Sequence, residues 1–500
     1  MQQLPENTSL SWGDALFLYL EREGMPLNIA SVAVFEGVIS LDECVDFVAS
    51  KLPLIPRYLQ RVVIPPLNLG LPTWEYDPEF DIHNHIHELT LKRGTEAELK
   101  AASAKILSGT MDRRHPLWDM TLMRGLHGNR TGMLVRVHHC LADGIAGVGL
   151  MNVVMDPKAI SHPPASKLPR LRVPPPRDAA TLVVDALVNS SGSLVQRILA
   201  MHAELIELAQ KAIAGAPQLS LSEINRLLPE FSAPAQRLPF NTICRGPQKI
   251  AWCGIPMADI KAVRQATGAT VNDIVVTVVT SALRRYAERQ GVKVKGRPLR
   301  IAVPMNMRGN GSAGDLGNRI SFLPVSVPLD IRKAGKLLAA VSQRMQFLKN
   351  AHAAELVGLA GTLLGTIPPA LQALAGPLAS QLPISLCNTI CTNVPGPQVP
   401  LYLIGHEMLC WYPYVPIGGE MGINCAMLSY NGTAYFCFTG DVQAAPGLLR
   451  LEKFLSTSFA ELQKAVGIRP RPQKRRLPKR DISILQPSDN EKEVALPASA

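Results

Sequence analysis

The chain has 500 residues, of which 47% are hydrophobic and 18% charged, a composition typical of a globular protein with a large core. Its length allows about three domains, or two large subdomains that share one interface. The formal net charge is +11, but eight cations lie between Lys464 and Arg480 with no aromatic residue among them. This excess of basic residues therefore does not indicate nucleic-acid binding.

The N-terminal region and the cysteines indicate the cellular compartment of the protein. Residues 1–37 include Asp14 and Glu21 and lack a continuous apolar core, so we predict neither a signal peptide nor a membrane span there. The nine cysteines are odd in number and scattered, which favours reduced thiols and a cytoplasmic protein. The basic tail, 467–500, is predicted to be disordered and solvated, and attraction to anionic lipid headgroups is the alternative.

The first 156 residues are predicted to alternate between helices and strands. Periodicity and capping residues indicate a helix from Ser11 to Glu21, a strand over Ile29 to Phe35 and a helix over Leu41 to Leu52. They also indicate a helix over Thr95 to Met111 and a strand over Met120 to Gly125.

The next stretch carries the pattern H-H-x-x-x-D-G, formed by His138, His139, Asp143 and Gly144. Strand alternation puts His139 on one face with Val137 and puts His138 on the other, so the two imidazoles do not share an environment. Asp143 then precedes an apolar run from Ile145 to Met155, which is predicted to form a helix, and a carboxylate there can cap this helix or bind a buried cation. The pattern indicates a catalytic site, and a hydrogen-bonded histidine pair without a catalytic role is the alternative.

Prolines between Pro157 and Pro176 indicate a linker before the second half of the chain. In that half Thr270 or Asn272 can cap a helix, and Asn272 with Asp273 is either a capping signal or part of the site. The other predicted elements are a strand over Ile250 to Cys253, helices over Met257 to Thr267 and Pro446 to Val466, and strands over Leu299 to Met305, Ile384 to Cys391, Leu409 to Val415, Gly422 to Tyr430 and Thr433 to Thr439. An Asn431-Gly432 hairpin turn is predicted to join the last two strands.

Two further segments bear on ligands and lipid. His83, His85 and His87 alternate, but without a carboxylate or cysteine beside them they do not indicate a metal site, and no metal or cofactor is predicted. Residues 356–405 contain no Asp, Glu, Lys or Arg. Prolines interrupt this segment, so it is predicted to form either a buried helix pair or a lip that contacts a membrane.

The histidine motif resembles the signature of acyl-CoA-dependent acyltransferases with the chloramphenicol acetyltransferase-like fold, a group that includes the condensation domains of peptide synthetases. Four more segments resemble the bacterial wax ester synthase/diacylglycerol acyltransferase family in particular. They are Ser11-x-x-Asp-x-x-Phe-Leu18, Pro116-Leu-Trp118, Thr270-Val-Asn-Asp273 and Thr392-Asn-Val-Pro-Gly-Pro397. The last of these is expected to be a turn-rich loop after the strand at Ile384 to Cys391.

The resemblance covers residues 10–465 and implies an α/β (α+β) fold. In that fold two chloramphenicol acetyltransferase-like subdomains, each a mixed β-sheet flanked by helices, meet at an active-site channel. The expected division is 1–156 for the first subdomain, 157–240 for the linker, 241–466 for the second subdomain and 467–500 for the tail.

The same resemblance implies transfer of a long-chain acyl group from acyl-CoA to diacylglycerol, a long-chain alcohol or both. His139 matches the general base of the family, His138 is a supporting residue, and Asp143 holds the loop or orients the histidine. Asn272 and Asp273 are candidate substrate-binding residues, and Asn272 is a candidate oxyanion donor. The expected partners are acyl-CoA, the acceptor lipid and a membrane or lipid-body surface.

Two other functions remain open. One is an acyltransferase of the same fold with a different acceptor or a carrier-protein donor. The other is a lipid-binding protein without activity, which the complete histidine motif does not favour.

Overall fold

The computed structural model describes residues 8–142, 153–159, 176–186, 188, 233–306, 320–351, 353, 364–382 and 385–469. Asp143, most of the predicted linker and the part of the predicted tail after Arg469 lie outside these residues. The predicted helix over Ile145 to Met155 does so too, except for its last three residues. By its internal contacts the chain up to Arg469 forms one unit.

The first of two main sheets is mixed and has six strands. They are β1 (Asn28–Glu36), β4 (Ile86–Thr90), β5 (Trp118–Leu126), β6 (Arg130–His138), β11 (Tyr402–Leu403) and β12 (His406–Tyr414), and a separate antiparallel ribbon consists of β2 (Gln60–Val63) and β3 (Thr73–Tyr76). The strand order is β11-β12-β1-β6-β5-β4, in which only β4 and β5 are parallel.

The second main sheet is also mixed and has six strands. They are β7 (Gln248–Pro256), β8 (Pro298–Asn306), β9 (Ile320–Pro328), β10 (Thr389–Pro395), β13 (Ile423–Tyr430) and β14 (Thr433–Asp441). The order is β7-β14-β13-β10-β8-β9, and β10 runs parallel to both of its neighbours. Every residue of β13 and β14 is buried, as expected for central strands covered on both faces.

Helices flank both sheets. They are α1 (Trp12–Leu20), α2 (Leu41–Lys51), α3 (Glu96–Leu107), α4 (Met257–Thr267), α5 (Val271–Arg289), α6 (Ala334–Asn350), α7 (Pro369–Ala379) and α8 (Arg450–Ala465), with 3-10 turns at Leu52–Leu54, Pro56–Leu59, Pro66–Asn68 and Ile82–Asn84. Gly268 ends α4 in a left-handed conformation, with φ of 72°, which glycine adopts without strain. Among the described residues no single helix is long and apolar enough to cross a membrane, although α4 and α5, bent by 105°, together reach the required length.

The fold class predicted from the sequence is confirmed, and most predicted elements occur within a few residues of their observed ends. The predicted Asn431-Gly432 hairpin turn is confirmed, because both residues have positive φ, at 40° and 74°. The predicted strand over Ile384 to Cys391 was misplaced. The strand begins at Thr389 and continues to Pro395, so Thr392 and Asn393 belong to β10 and not to the loop that was expected after it.

One strand crosses between the two halves of the chain. Strand β12 comes from the second half, yet it pairs with β1 of the first half, and Ala30 lies opposite Tyr414. The predicted division at residue 241 did not provide for this exchange. The predicted boundaries of the two subdomains, the linker and the tail stay a prediction.

Candidate active site

An apolar cavity of about 740 Å³ lies between the two main sheets. Its size falls within the usual range for small-molecule sites. Strands from both sheets line it: alternate residues of β6, β8 and β13 face it, as the two-residue period of a strand requires, and so do consecutive residues of β1 and β10. These residues include Ile29 and Ser31 of β1, Val135 and Val137 of β6, Ala302 and Pro304 of β8, Ile390, Thr392 and Val394 of β10, and Ala426 and Leu428 of β13.

His139 is part of the cavity wall. It follows the last residue of β6 and continues the alternation of Val135 and Val137, as predicted. Its backbone N–H donates to the carbonyl of Leu27 at 2.9 Å. Its ring stacks on Phe17 of α1, with centroids 3.9 Å apart and planes 7° from parallel. The hydrogen bond to Leu27 fixes the peptide of His139, and the stacking on Phe17 fixes the plane of its ring.

His138 lies on the other side of the strand and is completely buried. Its Nδ1 accepts a hydrogen bond from the backbone N–H of Cys140 at 3.1 Å. A ring nitrogen that accepts has no proton, so in the neutral imidazole the proton is on Nε2. That Nε2 lies 3.4 Å from Oε1 of Glu21, which is slightly long for a hydrogen bond but close enough for a strong electrostatic contact.

Glu21 is a buried carboxylate that the sequence analysis did not assign to the site. Its Oε1 accepts from the backbone N–H of Leu27 at 3.1 Å, and its Oε2 accepts from Nη2 of Arg113 at 2.9 Å. Burial alone would raise the pKa of the Glu21 carboxyl, but His138, Arg113 and the Leu27 amide together lower that pKa to about 2. The group is therefore ionised at neutral pH.

Known proteins share this arrangement of sheets. Residues 10–275 match the family profile of the wax ester synthase/diacylglycerol acyltransferase catalytic domain, and residues 316–463 match that of the C-terminal domain of the same enzymes. The chain belongs to the wax ester synthase/diacylglycerol acyltransferase family. It is an acyltransferase, as predicted.

The chain resembles curated relatives and solved structures over most of its length. It is 27% identical to the probable diacylglycerol O-acyltransferase tgs1 of Mycobacterium tuberculosis, over 90% of this chain and 94% of the relative. The wax ester synthase/diacylglycerol acyltransferase from Marinobacter aquaeolei VT8 has the same fold, with a TM-score of 0.62 and 24% identity over 92% of this chain and all of the other. A starter condensation domain of rhizomide synthetase, in complex with C8-CoA, matches with a TM-score of 0.56 and 14% identity over 92% and 95% of the two chains.

The remaining predicted site residues of this acyltransferase are Asp143, Asn272 and Asp273. Asp143 lies outside the described residues. Asp273 forms a capping box at the start of α5, in which its carboxylate accepts from the N–H of Thr270 at 2.9 Å and the Thr270 hydroxyl accepts from the N–H of Asp273 at 3.1 Å. Neither Asn272 nor Asp273 is among the described residues that line the cavity. The capping interpretation is confirmed, and a substrate-binding role for this pair stays a prediction.

Two polar residues of the cavity were missed as site residues because they were expected in a loop. Thr392 and Asn393 of β10 line the cavity from the second sheet, across from the strand end that carries His139. The sequence singled out their Thr-Asn-Val-Pro segment only as a family motif. Whether this segment lines the cavity depends on the strands with which it pairs, which are β8 and β13.

The Pro116-Leu-Trp118 segment has a packing role. Trp118 is buried, its indole N–H donates to the carbonyl of Tyr58 at 2.8 Å, and its ring stacks on His85 at 4.5 Å. The Nδ1 of His85 lies 2.8 Å from the Trp118 carbonyl. Among the described residues no cluster of His, Cys, Asp or Glu has the arrangement of a metal site.

Proposed function

We propose that this acyltransferase moves a long-chain fatty acyl group from acyl-CoA to diacylglycerol or a long-chain alcohol, with His139 as the general base. The observation that carries the proposal is the position of the His139 imidazole in the wall of a large apolar cavity. An acyl chain needs an apolar site of this kind, and the proton transfer needs an imidazole beside it. The C8-CoA complex of a condensation domain with the same fold supports acyl-CoA as the donor.

The proposed reaction is a single direct transfer. The neutral imidazole of His139 accepts the proton of the acceptor hydroxyl while the oxygen attacks the thioester carbonyl and a C–O bond forms. The tetrahedral intermediate then collapses, the C–S bond breaks, and the imidazolium returns its proton to the leaving thiolate. The products are an ester and free CoA, and no acyl-enzyme forms.

Turnover of labelled palmitoyl-CoA against a panel of long-chain alcohols and diacylglycerol tests the proposal. We expect ester formation with at least one of these acceptors and an initial-rate pattern that requires both substrates to be bound together. A ping-pong pattern, or a burst of CoA release without acceptor, would contradict direct transfer. Absence of product with every acceptor would contradict the proposed substrates.

We further propose that the enzyme collects its lipid substrates at a membrane or lipid-body surface through one face of α7. Exposed aliphatic side chains recur along this helix and just beyond each end at a spacing of three or four residues, which places them on one face. They are Ile367, Leu371, Leu374, Leu378 and Leu382, which are 38%, 54%, 69%, 64% and 52% exposed. Such a face is typical of a surface that contacts lipid.

The opposite face of α7 joins this surface to the cavity. Gly376 lies against Tyr19 of α1 so closely that an added Cβ would stand 2.8 Å from the Tyr19 backbone oxygen. Ala379, at the end of α7, and Ser380 line the cavity, as does Phe17 of α1. Helix α7 therefore contributes both to the exposed apolar face and to the wall of the cavity.

Flotation with vesicles separates this face from the basic tail. For the triple substitution Leu371→Ser, Leu374→Ser and Leu378→Ser we expect loss of binding to neutral phosphatidylcholine vesicles. Truncation after Gly467 should weaken only the salt-sensitive binding to anionic phosphatidylglycerol vesicles. Serine at the scattered exposed residues Val38, Leu54 and Leu449 is the matched control. Unchanged flotation of the α7 variant, with loss on truncation, would assign attachment to the tail.

A further inference from the structure

The carboxylate of Glu21 is buried. Burial of a carboxylate costs a large desolvation free energy unless the charge is paired. Glu21 is the residue directly after α1, and its side chain is 3% exposed. It is not among the described residues that line the cavity, so it does not contact substrate there. Its function must therefore be sought in the groups that it holds.

Those groups come from the segments that surround the histidine pair. Besides Leu27 and His138, Glu21 binds Arg113, whose Nη2 also donates to the carbonyl of Leu18 in α1 at 2.8 Å. One carboxylate thus connects the end of α1, the start of β1, the segment before β5 and the end of β6.

Two routes lead from Glu21 to His139. The first runs through the Leu27 peptide, whose N–H donates to Glu21 and whose carbonyl accepts from the N–H of His139. The second runs through His138, the adjacent residue, whose Nε2 faces the carboxylate. In addition, Phe17, four residues before Glu21 on the chain, stacks on the His139 ring. The helix that Glu21 ends is therefore the helix that sets the ring plane of the proposed base.

We infer that Glu21 is a positioning residue of the acyl transfer: it holds His138 in one tautomer and, through His138 and Leu27, fixes the peptide that carries the His139 imidazole. The inference rests on the proposed function, in which His139 is the base. A proton acceptor must be held close to its productive geometry, because a misplacement of about 1 Å reduces rates by roughly 100-fold. Glu21 supplies that restraint from outside the cavity.

Glu21→Gln is the first test, because it removes the charge and keeps the size of the side chain. We expect kcat to fall roughly 10-fold to 100-fold while KM for palmitoyl-CoA changes less than about twofold, since Glu21 positions the base and does not bind substrate. Glu21→Asp keeps the charge on a shorter side chain and should give an intermediate kcat. It also serves as the folded comparison if the glutamine variant is unstable.

The matched control is Asp77→Asn. Asp77 is another buried carboxylate beside a histidine, with Oδ2 3.0 Å from Nδ1 of His115, and it too is absent from the described cavity lining. We expect this variant to lose stability and to keep its kcat. An equal loss of kcat in both variants would mean that any broken buried pair lowers activity, and the inference would be wrong.

A double-mutant cycle decides whether Glu21 acts through His138. In a His138→Ala background, Glu21→Gln should reduce kcat by less than about threefold, because most of the restraint is already lost. Full additivity of the two effects, or a change in KM alone, would overturn the inference. Failure of the proposed function is recognised separately, since His139→Ala would then keep wild-type turnover whatever the Glu21 variants do.

Discussion

His138 and His139 are neighbours in the chain, but their side chains lie in two regions with opposite properties. The His139 ring lies against Phe17 in the wall of an apolar cavity, and the His138 ring is completely buried between the Cys140 backbone and Glu21. The cavity side can admit a substrate, and the buried side cannot. The difference shows how the two-residue period of one strand can place one imidazole in the wall of a cavity and its neighbour in a fully buried site.

The largest expected effect is at the cavity side. His139→Ala should lower turnover by roughly 100-fold or more, the range for loss of a general base, while the protein stays folded. Steady-state turnover with palmitoyl-CoA measures the effect, and a thermal melting curve checks the fold. His87→Ala, which removes an exposed histidine of β4, is the control and should turn over normally. Wild-type rates in His139→Ala would remove the distinction between the two histidines.

An intermediate effect is expected at the buried side, where two amides imitate different halves of the His138 ring. The oxygen of asparagine can replace Nδ1 as the acceptor for the Cys140 N–H, and the amide nitrogen of glutamine can replace Nε2 as the donor toward Glu21. If the contact of His138 with Glu21 contributes more to kcat than its contact with Cys140, His138→Gln should keep a higher kcat than His138→Asn.

The expected difference follows from the energy of that contact. A hydrogen bond to a charged group contributes about 1.5–3 kcal/mol, and the 3.4 Å distance of this contact places it at the lower end, so its loss in His138→Asn should lower kcat roughly tenfold. The measurement is kcat for both variants at saturating donor and acceptor. The reverse order would show that the Cys140 contact, and not Glu21, holds the buried ring.

The last expected effect is on stability and not on turnover, and it concerns the charge of Glu21. Its pKa is lowered from the ordinary value of 4.5 to about 2 in the fold, so ionised Glu21 stabilises the folded state above pH 4.5 by roughly 3 kcal/mol. This contribution is lost as the pH falls from 4.5 toward 2. The difference in unfolding free energy between wild type and Glu21→Gln should therefore shrink with falling pH.

Thermal or urea unfolding between pH 7 and pH 3 measures this difference. Glu43→Gln, which changes an exposed carboxylate in the first turn of α2, is the matched control. A wild-type advantage over Glu21→Gln that stays constant down to pH 3 would mean that Glu21 is not held as a carboxylate by His138 and Arg113.

Local signals sufficed for most of the elements and for the strand face on which His139 lies. Helix α4 was predicted over its observed range, because Gly268 ends it by a local conformational preference. His139 was placed on the same strand face as Val137 by alternation alone, and the cavity lies on that face. Neither result needed knowledge of the second sheet.

Other features depended on partners distant in the sequence. The β12 segment could be recognised as a strand, but its place beside β1 depends on pairing between residues nearly 400 positions apart. In the sequence Glu21 indicates only the lack of a signal peptide, because nothing there shows that Arg113 and His138 converge on it. Thr392 and Asn393 were expected in a loop for the same reason.

The sequence by itself determined the fold class, the family and the histidine that faces the cavity, because periodicity, capping and the motif are properties of neighbouring residues. The tertiary structure alone decided that the two sheets enclose a cavity and that α1 contributes both the Phe17 ring and the Glu21 carboxylate to the histidine pair. These contacts arise from long-range packing, and the charge of Glu21 has a structural role only where burial brings Arg113 and His138 to it.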